Sequence, residues 1–255
     1  MIDTHTHIYL QEFDTDRDLV IQRAKDAGIT ALLLPNIDLD SVEALHQCIQ
    51  AYRSFCKPMM GLHPCSVTAS YKDALEKLST YLHLKSTAYC GIGEIGLDYY
   101  WDNTFVNEQK KALETQLNWC DHFSLPFSMH TREAIEDAIA ITKTFLDKGV
   151  RGVFHCFGGS LAQAKQIIDM NCMLGIGGVV TYKKAALDEV LRYIPLSHIV
   201  LETDAPYLPP VPNRGKRNEP AYLTYIVKRI AGIYSVSESE VMQQTADNAR
   251  RMFGE

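Results

Sequence analysis

Met1-Ile2-Asp3-Thr4-His5-Thr6-His7 opens the chain with alternating side chains. Successive residues of a strand face opposite ways, so this pattern puts Asp3, His5 and His7 on one side. Two imidazoles at that spacing can grip one metal ion, and a carboxylate behind them can hold an N–H and fix the tautomer. The chain beyond this strand decides the fold. Asp16–Gly28 has a helical pattern closed by Gly28. Ile29–Pro35 is a continuous apolar run, as expected for a strand buried on both faces of a parallel sheet. The alternation then continues to the end. Strands are predicted at Pro58–His63, Ala88–Ile95, Leu125–His130, Gly152–His155, Met173–Gly177 and Ile199–Asp204. Helices are predicted at Ser41–Phe55, Lys72–Leu84, Val106–His122, Ala134–Asp147, Leu161–Met170 and Lys184–Tyr193. A Pro-rich loop, Pro206–Pro220, precedes two more helices, Tyr222–Ile233 and Ser237–Met252.

Strand–helix alternation of this kind over 255 residues predicts an α/β fold: a parallel (β/α)8 TIM barrel, a single domain over 1–255 with extra C-terminal helices. The competing layout is an open doubly wound sheet. No Gly-x-Gly-x-x-Gly follows the first strand, which weighs against it.

Composition bounds the function. No run approaches the roughly 20 apolar residues of a membrane helix. No basic segment leads into an apolar stretch at the start, so no signal peptide is expected. Seven cysteines without regular spacing fit reduced thiols and a cytoplasmic location. No obligate protein partner is evident. A net charge of −6 argues against a broad, sequence-blind grip on long nucleic acid. It leaves room for a phosphate substrate held by metal ions and a few local cations.

In such barrels the chemistry sits at the C-terminal ends of the strands. Those ends carry His5, His7, His63, Glu94, His130, His155 and Asp204. His46, His83, His122 and His198 fall in or beside helices or at the opposite rim, and read as surface or capping residues. Imidazoles with carboxylates, and no cysteine pair at zinc-finger spacing, suit borderline-to-hard divalent ions. The set is larger than one tetrahedral ion uses. Two ions about 3.5–4 Å apart, able to activate one water, would use it well. His5, His7, Glu94 and Asp204 are assigned to one, and Glu94, His130 and His155 to the other, with Glu94 as the bridge. Asp204 can also take a proton from the water. Cys156 is expected to face away from the site and to pack, and Cys65 to lie in a loop.

Six short motifs carry a resemblance. They are Asp3-Thr-His-Thr-His7, Gly61-Leu-His-Pro64, Gly93-Glu-Ile-Gly-Leu-Asp98, Met129-His-Thr-Arg-Glu-Ala134, His155-Cys-Phe-Gly-Gly-Ser160 and Glu202-Thr-Asp-Ala-Pro206. In this order they resemble TatD-type metal-dependent deoxyribonucleases, within the amidohydrolase-like hydrolases. Arg217-Asn-Glu-Pro220 and Asn248-Ala-Arg-Arg-Met-Phe253 are similar as well. The resemblance implies a TIM-barrel hydrolase of phosphodiester bonds, often a 3′-to-5′ exonuclease, using a pair of divalent ions (Zn, Mn or Mg). It implies DNA, with single-stranded ends, as substrate. The family's metal positions fall on His5, His7, Glu94, His130, His155 and Asp204. Where the family usually reads His-Cys-Phe-Ser-Gly, this chain has Gly158-Gly159 and lacks that serine.

Substrate contacts leave alternatives open. Arg132 forks onto phosphate or pairs with an acid such as Glu133. His63 donates to phosphate or supports the ligands from behind. Arg214 lies in the densest basic loop, Asn213–Asn218, which should cover the site. Lys183 and Lys184 add to the rim or start a helix. Tyr99, Tyr100 and Trp101 stack on a base or pack their loop. Asp98 and Glu202 orient ligands or order loops. The rival activity is hydrolysis of an ester or amide, such as the aminoacyl ester of a charged transfer RNA. Many barrels of that kind bridge their metals with a carbamylated lysine on the fourth strand, where this chain offers Glu94.

Overall fold

The computed structural model describes residues 1–85, 89–183 and 186–254. Ala88, expected to open the fourth strand, and Lys184, expected at the rim, lie outside the described residues. The strands are β1 (Ile2–Asp3), β2 (Ala31–Pro35), β3 (Cys56–Met59), β4 (Ile92–Asp98), β5 (Phe127–Arg132), β6 (Gly152–Phe154), β7 (Met173–Ile176) and β8 (Ile199–Leu201). All pair in parallel with their neighbours in sequence, in two ladders, β1–β3 and β4–β8. Backbone hydrogen bonds close both seams. Cys90 N–H donates to Pro58 O (2.9 Å) and Met60 N–H to Gly91 O (3.2 Å) at one. Thr4 N–H donates to Leu201 O (3.0 Å) and Asp204 N–H to His5 O (2.9 Å) at the other. A closed ring leaves no strand edge unpaired, and the fold is a (β/α)8 barrel.

The connecting helices are α1 (Arg17–Asp26), α2 (Val42–Ala51), α3 (Tyr71–Lys85), α4 (Val106–Phe123), α5 (Ile135–Lys143), α6 (Leu161–Asp169) and α7 (Leu187–Leu191). After β8 come α8 (Leu223–Tyr234) and α9 (Glu238–Phe253). No helix among the described residues is long and apolar enough to cross a membrane.

Strand periodicity sorts the core. Leu32 and Leu34 pack in one cluster with the helix residues Val20, Ala24 and Leu45. Ala31 and Leu33, facing the other way, join Ile2, Met59, Val153, Met173 and Val200 inside the barrel. Ala249, Met252 and Phe253 of α9 complete that inner cluster. Asn248 fixes the helix there, donating to Leu196 O (2.8 Å) and Ile199 O (2.7 Å). The last helix therefore plugs the N-terminal mouth, and burying Met252 and Phe253 contributes about 2 kcal/mol each. Polar residues are left the C-terminal mouth.

Several boundaries differ from expectation. Regular pairing in β1 stops at Asp3, because the chain bends to bond both neighbours: Thr6 N–H reaches Leu33 O (3.1 Å) and His7 N–H reaches Ala205 O (2.7 Å). The third strand begins at Cys56, and the expected Met60–His63 portion leads into a 3-10 turn at Pro64–Ser66. The fifth strand runs on to Arg132, paired with Asp98.

Candidate metal centre

His5 and His7 project into the C-terminal mouth from the bend after β1. Their Nε2 atoms lie 3.2 Å apart. Glu94 Oε2 is 3.2 Å from His5 Nε2 and 3.4 Å from His7 Nε2, and Asp204 Oδ1 is 3.8 and 3.6 Å from them. The other oxygen of Glu94 faces a different group. Oε1 lies 3.1 Å from His130 Nδ1, 3.1 Å from His155 Nε2 and 3.3 Å from His63 Nε2. The six expected ligand positions thus gather around one carboxylate.

Close backbone packing sets this up. Gly96 sits at φ +139°, and a Cβ there would collide with the carbonyl oxygen of His130. Gly175 has Glu202 against its bare Cα in the same way, so a side chain would push the Glu202 carboxylate away.

The far nitrogens explain which atoms face inward. Tyr9 Oη donates to Pro35 O (2.7 Å), so it accepts from His7 Nδ1–H (3.1 Å) and leaves the Nε2 lone pair free. His5 Nδ1 meets Ser128 Oγ at 2.8 Å. Asp98 Oδ2 takes Nε2–H of His130 (2.8 Å), aiming Nδ1 at Glu94. Glu202 Oε1 lies 3.4 Å from His155 Nδ1. His63 is the exception. Its Nδ1 accepts Cys65 N–H (3.1 Å), so its Nε2 carries hydrogen and serves as a donor. The ligand-type tautomer belongs to His7 and His130, and the donor tautomer to His63.

The electrostatics match a cation site. Burial opposes charge on Glu94, but His63, His5 and His155 outweigh it and hold the carboxyl well below its usual range. Burial likewise opposes charge on His155 and His130, yet Glu94 and Glu202 raise the first well above normal, and Asp98 and Glu94 raise the second. Burial lowers His5 strongly. Asp98, despite its burial, is brought down to about 2 by His130 and the N–H groups it accepts. Burial lifts Asp204 to about 6, with His155 and His7 opposing. Donor atoms gathered at these spacings, with hydrogen-bearing nitrogens turned outward, fit divalent ions coordinated by nitrogen and oxygen. Ions bound there would displace protons.

Three expectations need correction. Asp3 holds no imidazole; its oxygens accept Thr203 N–H (2.9 Å) and Thr203 Oγ1–H (2.6 Å) and tie β1 to β8. The bend after Asp3 turns it away from the histidines. Cys156 does not face away, because two residues past β6 its own backbone is left-handed (φ 50°) and turns it to the cleft wall. Burial pushes its thiol up to about 12. Cys65 also lines the cleft. In the basic loop, Arg217 is committed to Asp16 (2.8 Å), and Asn218 donates to Thr203 O (2.7 Å) and Tyr207 O (2.6 Å). That loop is a latch, and none of its residues lines the cleft.

Arg132 lines the cleft with its guanidinium 3.8 Å from the Tyr100 ring centre, and no carboxylate pairs with it among the described residues. The alternative, a pair with Glu133, does not form among the described residues. Arg214 stacks over Tyr182 (4.4 Å) and is not among the residues lining the cleft. Lys183 is exposed. His46 bonds Tyr89 Oη (2.8 Å), and His83, His122 and His198 also stand apart from the cleft. Tyr9 and Ser128 were not anticipated. Tyr9 extends the His5–His7 alternation by one step, and Ser128 sits two residues before His130, so both carried a spacing signal.

A barrel of parallel strands with histidines and acids converging on a strand-four glutamate defines the class of metal-dependent barrel hydrolases. The sequence profile of TatD-related DNases matches residues 2–254, and the chain belongs to that family. It is 35% identical to an uncharacterized metal-dependent hydrolase, YabD, of Bacillus subtilis, over 99% of this chain and 98% of that protein. It is 31% identical to the 3′-5′ ssDNA/RNA exonuclease TatD of Pantoea ananatis, over 100% and 99% of the respective chains. The crystal structure of YJJV, a TatD homologue from Escherichia coli K12, superposes with a TM-score of 0.94 at 26% identity, covering 100% of this chain and 98% of that one.

Proposed function

We propose that this protein is a divalent-metal-dependent phosphodiesterase that trims nucleic acid from exposed single-stranded ends, as a 3′-to-5′ exonuclease. The observation that carries the reading is the division of Glu94: one oxygen faces His5 and His7, the other faces His130 and His155. We assign His5, His7, Glu94 and Asp204 to one ion and Glu94, His130 and His155 to a second, with Zn, Mn and Mg as candidates. Bound there, such ions supply Lewis-acid polarisation of a phosphoryl oxygen and acidify a water.

The chain's own groups do the rest. Asp204, whose Oδ1 lies 3.8 and 3.6 Å from His5 and His7 Nε2 and whose side chain lines the cleft, is placed to accept a proton from the attacking water. Its left-handed backbone (φ 57°) turns the side chain into the cleft. His63 lines the cleft with its Nε2–H 3.3 Å from Glu94 Oε1, and would turn that donor to a phosphate oxygen bound beside the centre. Arg132 adds a cation at the rim, and its free fork fits the same group. Arg214 stands further out and meets only a longer substrate. The cleft, about 580 Å³, has the size of a pocket for one small ligand, which agrees with attack at a chain end. The 1–255 span acts as one catalytic domain, and seven cysteines free of disulfides agree with a cytoplasmic location.

The test is an assay of pure protein reconstituted with each metal, on end-labelled single- and double-stranded DNA and on aminoacyl-tRNA, with chelator as control. The reading expects metal-dependent release of mononucleotides from single strands. Release of amino acid without nucleotides would assign the site to ester hydrolysis instead.

A further inference from the structure

Resting on the phosphodiester reading, we propose that Trp101, Tyr100 and Arg132 form a shelf at the cleft mouth that receives an unpaired nucleobase beside the scissile phosphate. Trp101 is 68% exposed and Tyr100 is 49% exposed, although both follow the fully buried β4. Tyr99 does the packing for this loop, with its hydroxyl on Asp137 (2.8 Å). The next two rings are left on the outside.

They are not loose. Asp98 Oδ1 accepts the backbone N–H of Tyr100 (2.9 Å) and of Trp101 (3.1 Å). The rings meet edge to face at 4.9 Å. The Arg132 guanidinium lies over both, 3.8 Å from one centre and 5.1 Å from the other. Trp101 and Arg132 line the same cleft as His130 and Asp204. Trp101 also borders a small hollow of about 70 Å³ that it shares with Val67, Phe105, Asp98, Asp102 and Gln109.

Each part has a use on an unpaired end. An exposed indole face stacks any base, because every base has a π-face. A base inside a duplex hides its faces in the stack, so the shelf favours a frayed or single-stranded terminus. Arg132, stacked on Tyr100, keeps its edge free for phosphate oxygens. Asp98 joins the two functions. One oxygen sets the shelf and the other holds Nε2–H of His130 (2.8 Å), so base and metal ligand are positioned by one carboxylate.

The experiment compares two single-stranded oligonucleotides, one intact and one with an abasic nucleotide at both ends, in the metal-loaded enzyme. The intact end is expected to be favoured by about tenfold in kcat/KM, the scale of one base–aromatic stack. Trp101→Ala should bring that ratio toward one, with the loss in KM rather than kcat, and Trp101→Phe should keep most of it. Bound metal per chain checks that the centre survives each substitution. A wild-type ratio near one, or a ratio untouched by Trp101→Ala, overturns the shelf while leaving the phosphodiester reading standing. Failure of the wild type to cleave either oligonucleotide ends that reading and the shelf with it.

Discussion

Glu94 separates two environments built in different ways. On its Oε2 side, His5 and His7 come from a single bend, are almost wholly buried, and are backed by Ser128 and Tyr9. On its Oε1 side, His130 comes from within β5 and His63 and His155 from the segments after β3 and β6, and the side chains of His63 and His130 are 15% and 18% exposed. In the first half the two imidazoles are held by local geometry, and His7 and Asp204 form its side of the cleft wall. The second opens on the cleft, where Arg132 and Trp101 also lie. On the two-ion assignment proposed above, the contrast predicts that the more buried half holds its ion more tightly than the half with His130 and His63.

The comparison breaks most completely at its shared atom set. Glu94→Ala removes a ligand from both halves, and hydrolysis should fall by about 10³-fold or more. Metal per chain should drop at the same time; near-full activity would refute the bridge. A smaller effect should separate the halves. Asp98→Asn cannot accept on both sides as the carboxylate does, so the open half should lose about 10–100-fold in metal affinity. The more buried half should keep its ion, which two-phase metal titration resolves. Tyr9→Phe is the matching change on the more buried side. It removes a neutral acceptor, so its cost should be smaller, about 1 kcal/mol in folding stability by chemical unfolding, with a weaker loss of metal.

Arg132→Ala touches neither half. It should raise KM on single-stranded DNA by about tenfold with metal content unchanged, and an unaltered saturation curve would remove Arg132 from the substrate path. The smallest effect is on pH. Burial places the Asp204 carboxyl at about 6, above its unfolded value, so the folded metal-free protein binds the extra proton. The stability this gives is present at low pH and is lost as pH rises through about 6. Metal binding runs the other way, because the ligand must be the carboxylate. Metal affinity should therefore weaken as pH falls below about 6, and calorimetric titration between acid and neutral pH measures it.

The barrel was legible because its signals are periodic. Ala31-Leu-Leu-Leu-Pro35 reads as a two-sided buried strand and is one, and the candidate ligands gather at the C-terminal mouth, where parallel barrels put chemistry. What stayed hidden depends on backbone turns that periodicity does not carry. Asp3 leaves the histidine face because the chain bends after it. Cys156 enters the cleft through a left-handed residue. Arg217 looks like a phosphate cation in sequence, yet its partner Asp16 lies far back in the chain. The sealing of the barrel floor by Met252 and Phe253 is likewise a long-range fact, since helical spacing shows an apolar face without naming what it covers. The absent serine of the sixth-strand motif is not a matter of room, since a Cβ at Gly158 would meet nothing within 4 Å.

An anomalous difference map from crystals grown with Zn or Mn tests the bridge most directly. It should show a pair of peaks about 3.5–4 Å apart, one between His5, His7 and Glu94 Oε2, the other between His130, His155 and Glu94 Oε1. A lone peak, or peaks that leave Glu94 uncoordinated, would contradict the account.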